Sequence, residues 1–137
     1  MTQIIVKTKP VTQGSVTAIP VNGKARIIHN HPKELYEQRA LIQSLYKEAG
    51  GELIEGGVDI EIVFSFVRPK SVSQKKRPHM IVKPDIDKLE RAVLDALTHH
   101  AYNDDSQVVK LSARKTYGNE EYIEINVKEY HELNNYI

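Results

Sequence analysis

The ten-residue stretch Val58–Val67, VDIEIVFSFV, has the clearest strand pattern in this sequence. The alternation at its start places Val58, Ile60 and Ile62 on one side of an extended chain. Its second half is apolar on both sides except for Ser65. Because such a run is typical of a strand buried on both faces, we expect Val58–Val67 to be the central strand of a sheet.

Two segments with helical spacing flank this strand. The first runs from Pro32 to Ala49, and Asn30 or His31 is the candidate cap at its start. The second is predicted over residues 86–98, where apolar side chains recur every three or four positions. Its predicted buried stripe consists of Leu89, Val93, Ala96 and Leu97.

Shorter strands are predicted before the first helix and after the second. They cover Ile4–Val6, Ser15–Val21, Lys24–His29, Val108–Tyr117 and Tyr122–Glu129. Asn22–Gly23 and Gly118–Asn119 are turn signals that favour hairpins between the strands they connect. We therefore predict one α+β domain over residues 1–137, in the order β-β-α-β-α-β-β, with the helices packed on a small mixed sheet.

Composition narrows the class of protein. The chain has 137 residues, 40% hydrophobic and 27% charged, which suits a single soluble domain. It has no apolar run of about 20 residues and no secretory pattern, so we expect no membrane span and a cytoplasmic location. The absence of cysteine excludes thiolate-bound metals. The sequence also lacks the glycine motifs that bind phosphate, so we expect no nucleotide cofactor.

The charge distribution is uneven although the formal net charge is only +1. Residues 68–91 contain eight Lys and Arg against three acids, and residues 119–137 contain five Glu and one Lys. Residues 68–84 lack periodicity and are predicted to be a mobile basic loop, with residues 130–137 as an acidic tail. A basic segment around a few carboxylates suits a polyanion site that holds a cation, and a solvated loop is the alternative.

Asp85 and Asp87 stand where the second helix should begin. Pro84 favours an extended approach, so we expect both side chains to lie on one side of an extended backbone. Crowded carboxylates repel each other, and Mg²⁺ binds a few carboxylate oxygens together with substrate phosphate. The alternative is that these aspartates only cap the helix.

Asn103–Ser106, NDDS, supplies two more acids before the next strand. Alone this composition is typical of an ordinary turn. Asp104 and Asp105 would approach Asp85 and Asp87 if the loop after the second helix folds back toward the start of that helix. Arg91 lies one helical turn beyond Asp87, where its charge suits a phosphate or an oxyanion. The alternative is an exposed ion-pair ladder of Asp87, Arg91 and Asp95.

Residues 83–118, KPDIDKLERAVLDALTHHAYNDDSQVVKLSARKTYG, resemble the RusA-type crossover junction endodeoxyribonucleases. These are small Holliday junction resolvases that are often carried by phages and prophages. The resemblance rests on the D-x-D that opens the helix, the AVLDALT run and the DDSQV turn. It implies a homodimer with two active sites that nicks both strands of a four-way DNA junction in recombination and repair.

The resemblance also implies a set of site residues. It places Mg²⁺, or Mn²⁺ in its place, on Asp85, Asp87 and Asp105, with Asp104 assisting or shaping the turn. Arg91 stands where the family has a catalytic lysine, and Lys88 stands where it usually has asparagine. The basic residues that we expect to contact the DNA backbone are Lys70, Lys75, Lys76, Arg77, Lys83 and Lys88. Lys110, Arg114 and Lys115 either extend this surface or are ordinary outward-facing strand residues.

Two other functions fit the same residues. One is a non-catalytic protein that binds branched DNA and has lost the chemistry through the exchanges at Lys88 and Arg91. The other is a structural or regulatory dimer whose acids serve as caps and turns.

Overall fold

The positions of the helices and strands come from a computed structural model that describes residues 1–13, 16–29 and 32–132. The strands are β1 (Thr2–Val6), β2 (Val16–Val21), β3 (Lys24–His29), β4 (Val58–Val67), β5 (Val108–Gly118) and β6 (Tyr122–Glu129). The helices are α1 (Pro32–Glu48) and α2 (Ile86–Leu97). The predicted cap at Asn30 or His31 and the tail beyond residue 132 lie outside the described residues.

Strand β4 is the centre of the main sheet, as its apolar pattern predicts. The sheet has the strand order β1-β6-β4-β5, so β4 pairs with β6 on one side and β5 on the other. The β4–β5 pair is parallel and the β4–β6 pair is antiparallel. Val58, Phe64 and Ser65 have no exposed surface. The prediction of an α+β fold with a mixed sheet is confirmed.

A second, separate sheet consists of β2 and β3 alone. Asn22 and Gly23 both have positive φ in the turn between them, as the hairpin prediction requires. The chain therefore has the three strands before α1 that the individual strand predictions place there, although the predicted order β-β-α-β-α-β-β counts only two.

The predicted hairpin between the last two strands does not form. Strand β6 pairs with β4 and β1 and has no pairing with β5 in the described sheet. The chain instead crosses the end of β4, where the Ser65 hydroxyl donates a 2.7 Å hydrogen bond to the Glu120 carbonyl. Gly118 permits this close crossing because a Cβ there would lie 2.5 Å from the Ser65 Oγ. The backbone N–H and C=O groups along both edges of β4 need hydrogen-bond partners in this buried position, and β6 supplies them on the edge that β5 leaves free.

The helices cover one face of the sheet. The predicted stripe of α2 is buried and packs with Ile60, Ile62 and Phe64 of β4 in one core. Tyr102 is buried, and its hydroxyl donates a 2.6 Å hydrogen bond to the Leu94 carbonyl. The opposite face carries polar residues such as Glu61 and Arg114, which are exposed. No helix in the described part of the chain is long and apolar enough to cross a membrane.

Helix α2 connects two parallel strands and must therefore run back along the sheet. It begins after the carboxyl end of β4 and ends near the start of β5. Asp85 and Asp87 consequently lie at one end of the helix, whereas Asp104 and Asp105 follow its other end.

We expect Gly118→Ala to destabilise the fold by about 1–3 kcal/mol, because the added methyl group overpacks the crossing at Ser65. Urea unfolding measures this change. Gly56→Ala is the matched control, since the nearest atom to its added Cβ is the Glu129 Oε1 at 3.8 Å.

A double-mutant cycle with Ser65→Ala identifies the cause. Removing the Ser65 hydroxyl relieves the clash, so the double variant should be more stable than the sum of the single effects by about 0.5 kcal/mol or more. Strict additivity would contradict the proposed crossing contact.

Candidate functional site

Asp85 occupies the N-cap position of α2 without acting as a cap. Its backbone is extended, with φ −74° and ψ 138°, but its side chain makes no capping hydrogen bond to the described backbone of α2. The carboxylate is half exposed, and its Oδ2 lies 3.6 Å from the Lys88 Nζ. The capping alternative therefore fails for Asp85, whose oxygen atoms remain available to another cation.

Asp87 lies inside the first helical turn and is exposed. The prediction that both aspartates lie on an extended backbone is therefore right for Asp85 and wrong for Asp87, which is helical. Glu90 is a close neighbour of Asp87 that sequence reasoning did not include in the site. Burial raises the pKa of Glu90, and the charge of Asp87 raises it further. The spacing of three residues on a helix is the signal that identifies this pair.

Asp104 performs the capping role that Asp85 does not. Its Oδ1 accepts a 2.9 Å hydrogen bond from the Ser106 N–H, and the Gln107 Oε1 accepts one of 3.2 Å from the Asp104 N–H. This reciprocal pair is a capping box at the start of the 3₁₀ turn Asp105–Gln107. The Ser106 N–H lowers the pKa of Asp104. Asp104 thus shapes the turn, as one of the two sequence expectations states.

Gln107 fixes this turn to the rest of the domain. Its amide nitrogen donates hydrogen bonds of 2.8 Å to the Ile54 carbonyl and 3.0 Å to the Gly56 carbonyl. The Ile54 N–H donates in turn to the Ala101 carbonyl at 2.8 Å. The position of Asp105 is therefore set by several bonds across the loops at this end of the sheet.

Asp105 approaches the exposed stripe of α2. Desolvation raises its pKa, and the hydrogen bond and charge of Asp104 and the charge of Asp95 raise it further. Arg91 acts in the opposite direction. The charges of Asp95 and Arg91 therefore act on Asp105 across the connection that follows α2. Neither Asp85 nor Asp87 is among the groups that shift its pKa.

The four candidate metal ligands are not assembled into one set. No three Asp, Glu or His side chains in residues 1–13, 16–29 and 32–132 lie close enough together to hold a metal ion. A rise of 1.5 Å per residue puts Asp95 about 12 Å along the helix axis from Asp87. Magnesium is commonly bound through one or two carboxylates and several waters, so a site with fewer than three acidic side chains is compatible with this ion.

Five of the six predicted DNA-contacting residues lie in the loop before α2, and the sixth, Lys88, lies in its first turn. Lys70, Lys75, Lys76 and Lys83 are exposed, whereas Arg77 and Lys88 are partly buried. The loop contains local turns, including hydrogen bonds from the Arg77 N–H to the Ser73 carbonyl and from the Val72 N–H to the Pro69 carbonyl, both 3.0 Å. Mobility of residues 68–84 stays a prediction.

The chemistry available along α2 is a series of charges of alternating sign. Asp87, Arg91 and Asp95 stand four residues apart, and Asp105 faces the last two. The guanidinium of Arg91 is exposed. Such an arrangement offers an anionic phosphate one fixed cation, with carboxylates on both sides for a divalent ion or a proton.

We expect Asp95→Asn to lower the pKa of Asp105, because one of the charges that raises it is removed. Arg91→Gln should raise the same pKa by removing the opposing charge. Titration of the Asp105 carboxyl by ¹³C NMR measures both. Asp85→Asn is the control that should leave it unchanged, and an unchanged Asp105 in Asp95→Asn would contradict the placement beside α2.

Comparison with known proteins gives independent evidence. The family model described as Endodeoxyribonuclease RusA matches residues 8–128. The chain is 32% identical over 131 residues to the uncharacterized protein YqaN of Bacillus subtilis (strain 168), with 88% of this chain and 91% of that protein covered. It is 30% identical over 123 residues to the crossover junction endodeoxyribonuclease rusA of Lactococcus phage r1t, with 88% and 90% covered. The resemblance stated from the D-x-D and DDSQV motifs is therefore confirmed, and the chain belongs to the RusA endodeoxyribonuclease family.

Proposed function

We propose that this protein is an Mg²⁺-dependent endonuclease that resolves four-way DNA junctions in recombination and repair, acting in the cytoplasm as a homodimer. Family membership supports the nuclease activity. The observation that carries the assignment of the site is the Asp85 carboxylate, which stands at the helix start without a capping role. The alternative explanation, that these acids only cap helices and form turns, applies to Asp104 instead.

Asp85 and Asp87 are the residues that we propose to hold Mg²⁺. Their carboxylates are the donors that this ion prefers, and the start of α2 adds the partial positive charge of a helix N-terminus, which limits their mutual repulsion. When bound, the ion polarises the phosphodiester, helps to activate water and stabilises the leaving oxygen.

Arg91 and Asp105 have separate roles in this proposal. Arg91 holds a non-bridging phosphate oxygen and stabilises the charge that develops on it. Asp105 is a stronger base than an isolated aspartate because its pKa is raised, so it suits the acceptance of a proton from the attacking water. Because no three acidic or histidine side chains of the described residues could together hold a metal ion, we assign Asp105 to a partnership with Arg91 rather than to a third metal ligand beside Asp85 and Asp87.

The exposed lysines before α2 supply affinity for the junction. Lys70, Lys75, Lys76 and Lys83 can approach phosphates without reading the sequence, and each phosphate that they neutralise releases counterions. Binding should therefore weaken steeply with salt. A homodimer gives two such sites, which matches the two-fold arrangement of a four-way junction.

A non-catalytic branched-DNA-binding protein is the second candidate, and one contact favours it. The Lys88 ammonium lies 3.6 Å from Asp85 and partly neutralises a proposed metal ligand. Under this hypothesis, junction binding persists but no metal supports cleavage.

We expect Asp87→Asn to reduce junction cleavage by at least about 100-fold, since loss of even an outer-shell partner of a metal ligand costs about 10- to 100-fold. Junction affinity should stay the same or rise because repulsion of DNA falls. The assay compares a synthetic four-way junction with a linear duplex of the same sequence, with Mg²⁺ and with EDTA.

Glu61→Gln is the matched control, because Glu61 is an exposed carboxylate on the helix-free face of β4. Its cleavage rate should equal that of the wild type. Cleavage by Asp87→Asn at the wild-type rate would refute the site. Salt-sensitive junction binding without cleavage in Mg²⁺ or Mn²⁺ would establish the second candidate.

We expect Lys88→Asn to lower the Mg²⁺ concentration for half-maximal cleavage about fivefold, because a competing exposed ion pair worth up to about 1 kcal/mol is lost. Lys88→Arg keeps the charge and should change this concentration little. A Mg²⁺ requirement that rises in Lys88→Asn would show that Lys88 assists the site rather than competing with the metal.

A further inference from the structure

Lys115 faces the covered side of the sheet rather than solvent. Strand β5 pairs with β4 so that Lys115 stands opposite Phe64, whose side chain is fully buried in the core beneath the helices. The Lys115 Nζ donates hydrogen bonds of 2.8 Å to the Val82 carbonyl and 2.9 Å to the Pro84 carbonyl. It is therefore neither an ordinary outward-facing residue nor an open contact for DNA.

Most of the segment that Lys115 contacts is exposed. Ile81 is 81% exposed and Val82 is 38% exposed, so burial of apolar surface contributes little here. Lys83 is exposed as well, and Pro84 has no N–H to donate. Met80 is buried and anchors the chain upstream of this segment.

The two hydrogen bonds end directly before the proposed metal ligands. The Pro84 carbonyl belongs to the peptide unit that enters Asp85, and the Val82 carbonyl lies two residues earlier. Bonds from an ammonium are stronger than bonds between neutral groups, and two of them on alternate carbonyls fix both the position and the direction of the chain. The backbone that enters Asp85 is thereby tied to β5, a rigid element of the sheet.

We propose that Lys115 is a positioning residue that holds the Val82–Pro84 segment and so fixes the Asp85 and Asp87 carboxylates for metal binding. This inference rests on the proposed function for the role of those carboxylates. It assigns Lys115 no contact with DNA or metal, and its effect passes through the backbone before α2.

Lysine suits this task better than other residues at the same point. Its ammonium carries three donors on a flexible stem, so one group can bond two carbonyls that face it from different directions. The donors of arginine lie in one plane, and methionine keeps a similar apolar stem with no donor. Lys115→Met therefore removes both hydrogen bonds while it preserves most of the packing.

The experiment compares Lys115→Met with Lys110→Met. Lys110 is an exposed residue on the same strand, so the control loses the same charge. Two measurements use the protein without DNA: hydrogen exchange of residues 81–89 and binding of Mn²⁺ alone, followed by its EPR signal. A third measures the dependence of junction cleavage on Mg²⁺ concentration, with kcat and KM for the junction determined separately.

The amide hydrogens of residues 81–89 should exchange faster in Lys115→Met than in the wild type. This variant should bind Mn²⁺ about tenfold more weakly and need about tenfold more Mg²⁺ for half-maximal cleavage, because mutation of residues that position metal ligands costs about 10- to 100-fold. Its KM for the junction should be unchanged at saturating Mg²⁺. Lys115→Arg keeps the charge and should recover part of the Mn²⁺ affinity, whereas Lys110→Met should match the wild type in exchange and Mn²⁺ binding.

Other outcomes would overturn the inference. A lower Tm with wild-type Mn²⁺ binding would show a merely structural residue, and a higher KM alone would show a DNA contact. If Lys115→Met does not fold, Lys115→Gln replaces it in the same measurements. Absence of cleavage by the wild type would reject the proposed function, whereas the exchange and Mn²⁺ measurements would still decide whether Lys115 positions these carboxylates.

Discussion

The parallel pairing of β4 with β5 is the constraint on which the rest of this structure depends. A parallel pair needs a crossover, and here the crossover consists of the basic loop, α2 and the acidic turn. Because α2 returns the chain from the carboxyl end of β4 toward the start of β5, its two ends point to opposite ends of the sheet. Asp85 is placed at one end and Asp105 near the other, and the exposed stripe of α2 carries charge between them. The arrangement of the candidate site is thus a consequence of the strand order.

The four candidate aspartates have different physical roles. Asp104 is occupied by the Ser106 N–H, which lowers its pKa, whereas the pKa of Asp105 is raised. Asp85 stands at a helix start with its oxygen atoms uncommitted to the backbone, and Asp87 is exposed one turn before Arg91. Local hydrogen bonding, rather than residue identity, separates the aspartate that builds a turn from those able to hold a ligand.

Much of the fold follows from local patterns in the sequence, because periodicity reports burial directly. The bounds of β4 and the apolar stripe of α2 were both predictable in this way. The partner of β6 was not, since the Gly118–Asn119 signal describes a turn and the competing partner lies across β4. The hydrogen bonds from Lys115 to the Val82 and Pro84 carbonyls were also not predictable, because these residues are far apart in the sequence. The influence of Asp95 on Asp105 likewise depends on the tertiary structure. The D-x-D and DDSQV motifs identified the candidate residues, but the separation between them came from the topology.

The position of β6 has a consequence for how the chain acquires its structure during synthesis. Strand β1, the first described strand, pairs in the main sheet only with β6, the last described strand. While the ribosome is still adding residues before Tyr122, one side of β4 and the inner side of β1 both lack their partner. The sheet therefore closes late, through contacts of high sequence separation, and such contacts slow folding. Until closure, an unpaired strand edge flanked by apolar side chains is open to chaperones or to neighbouring nascent chains.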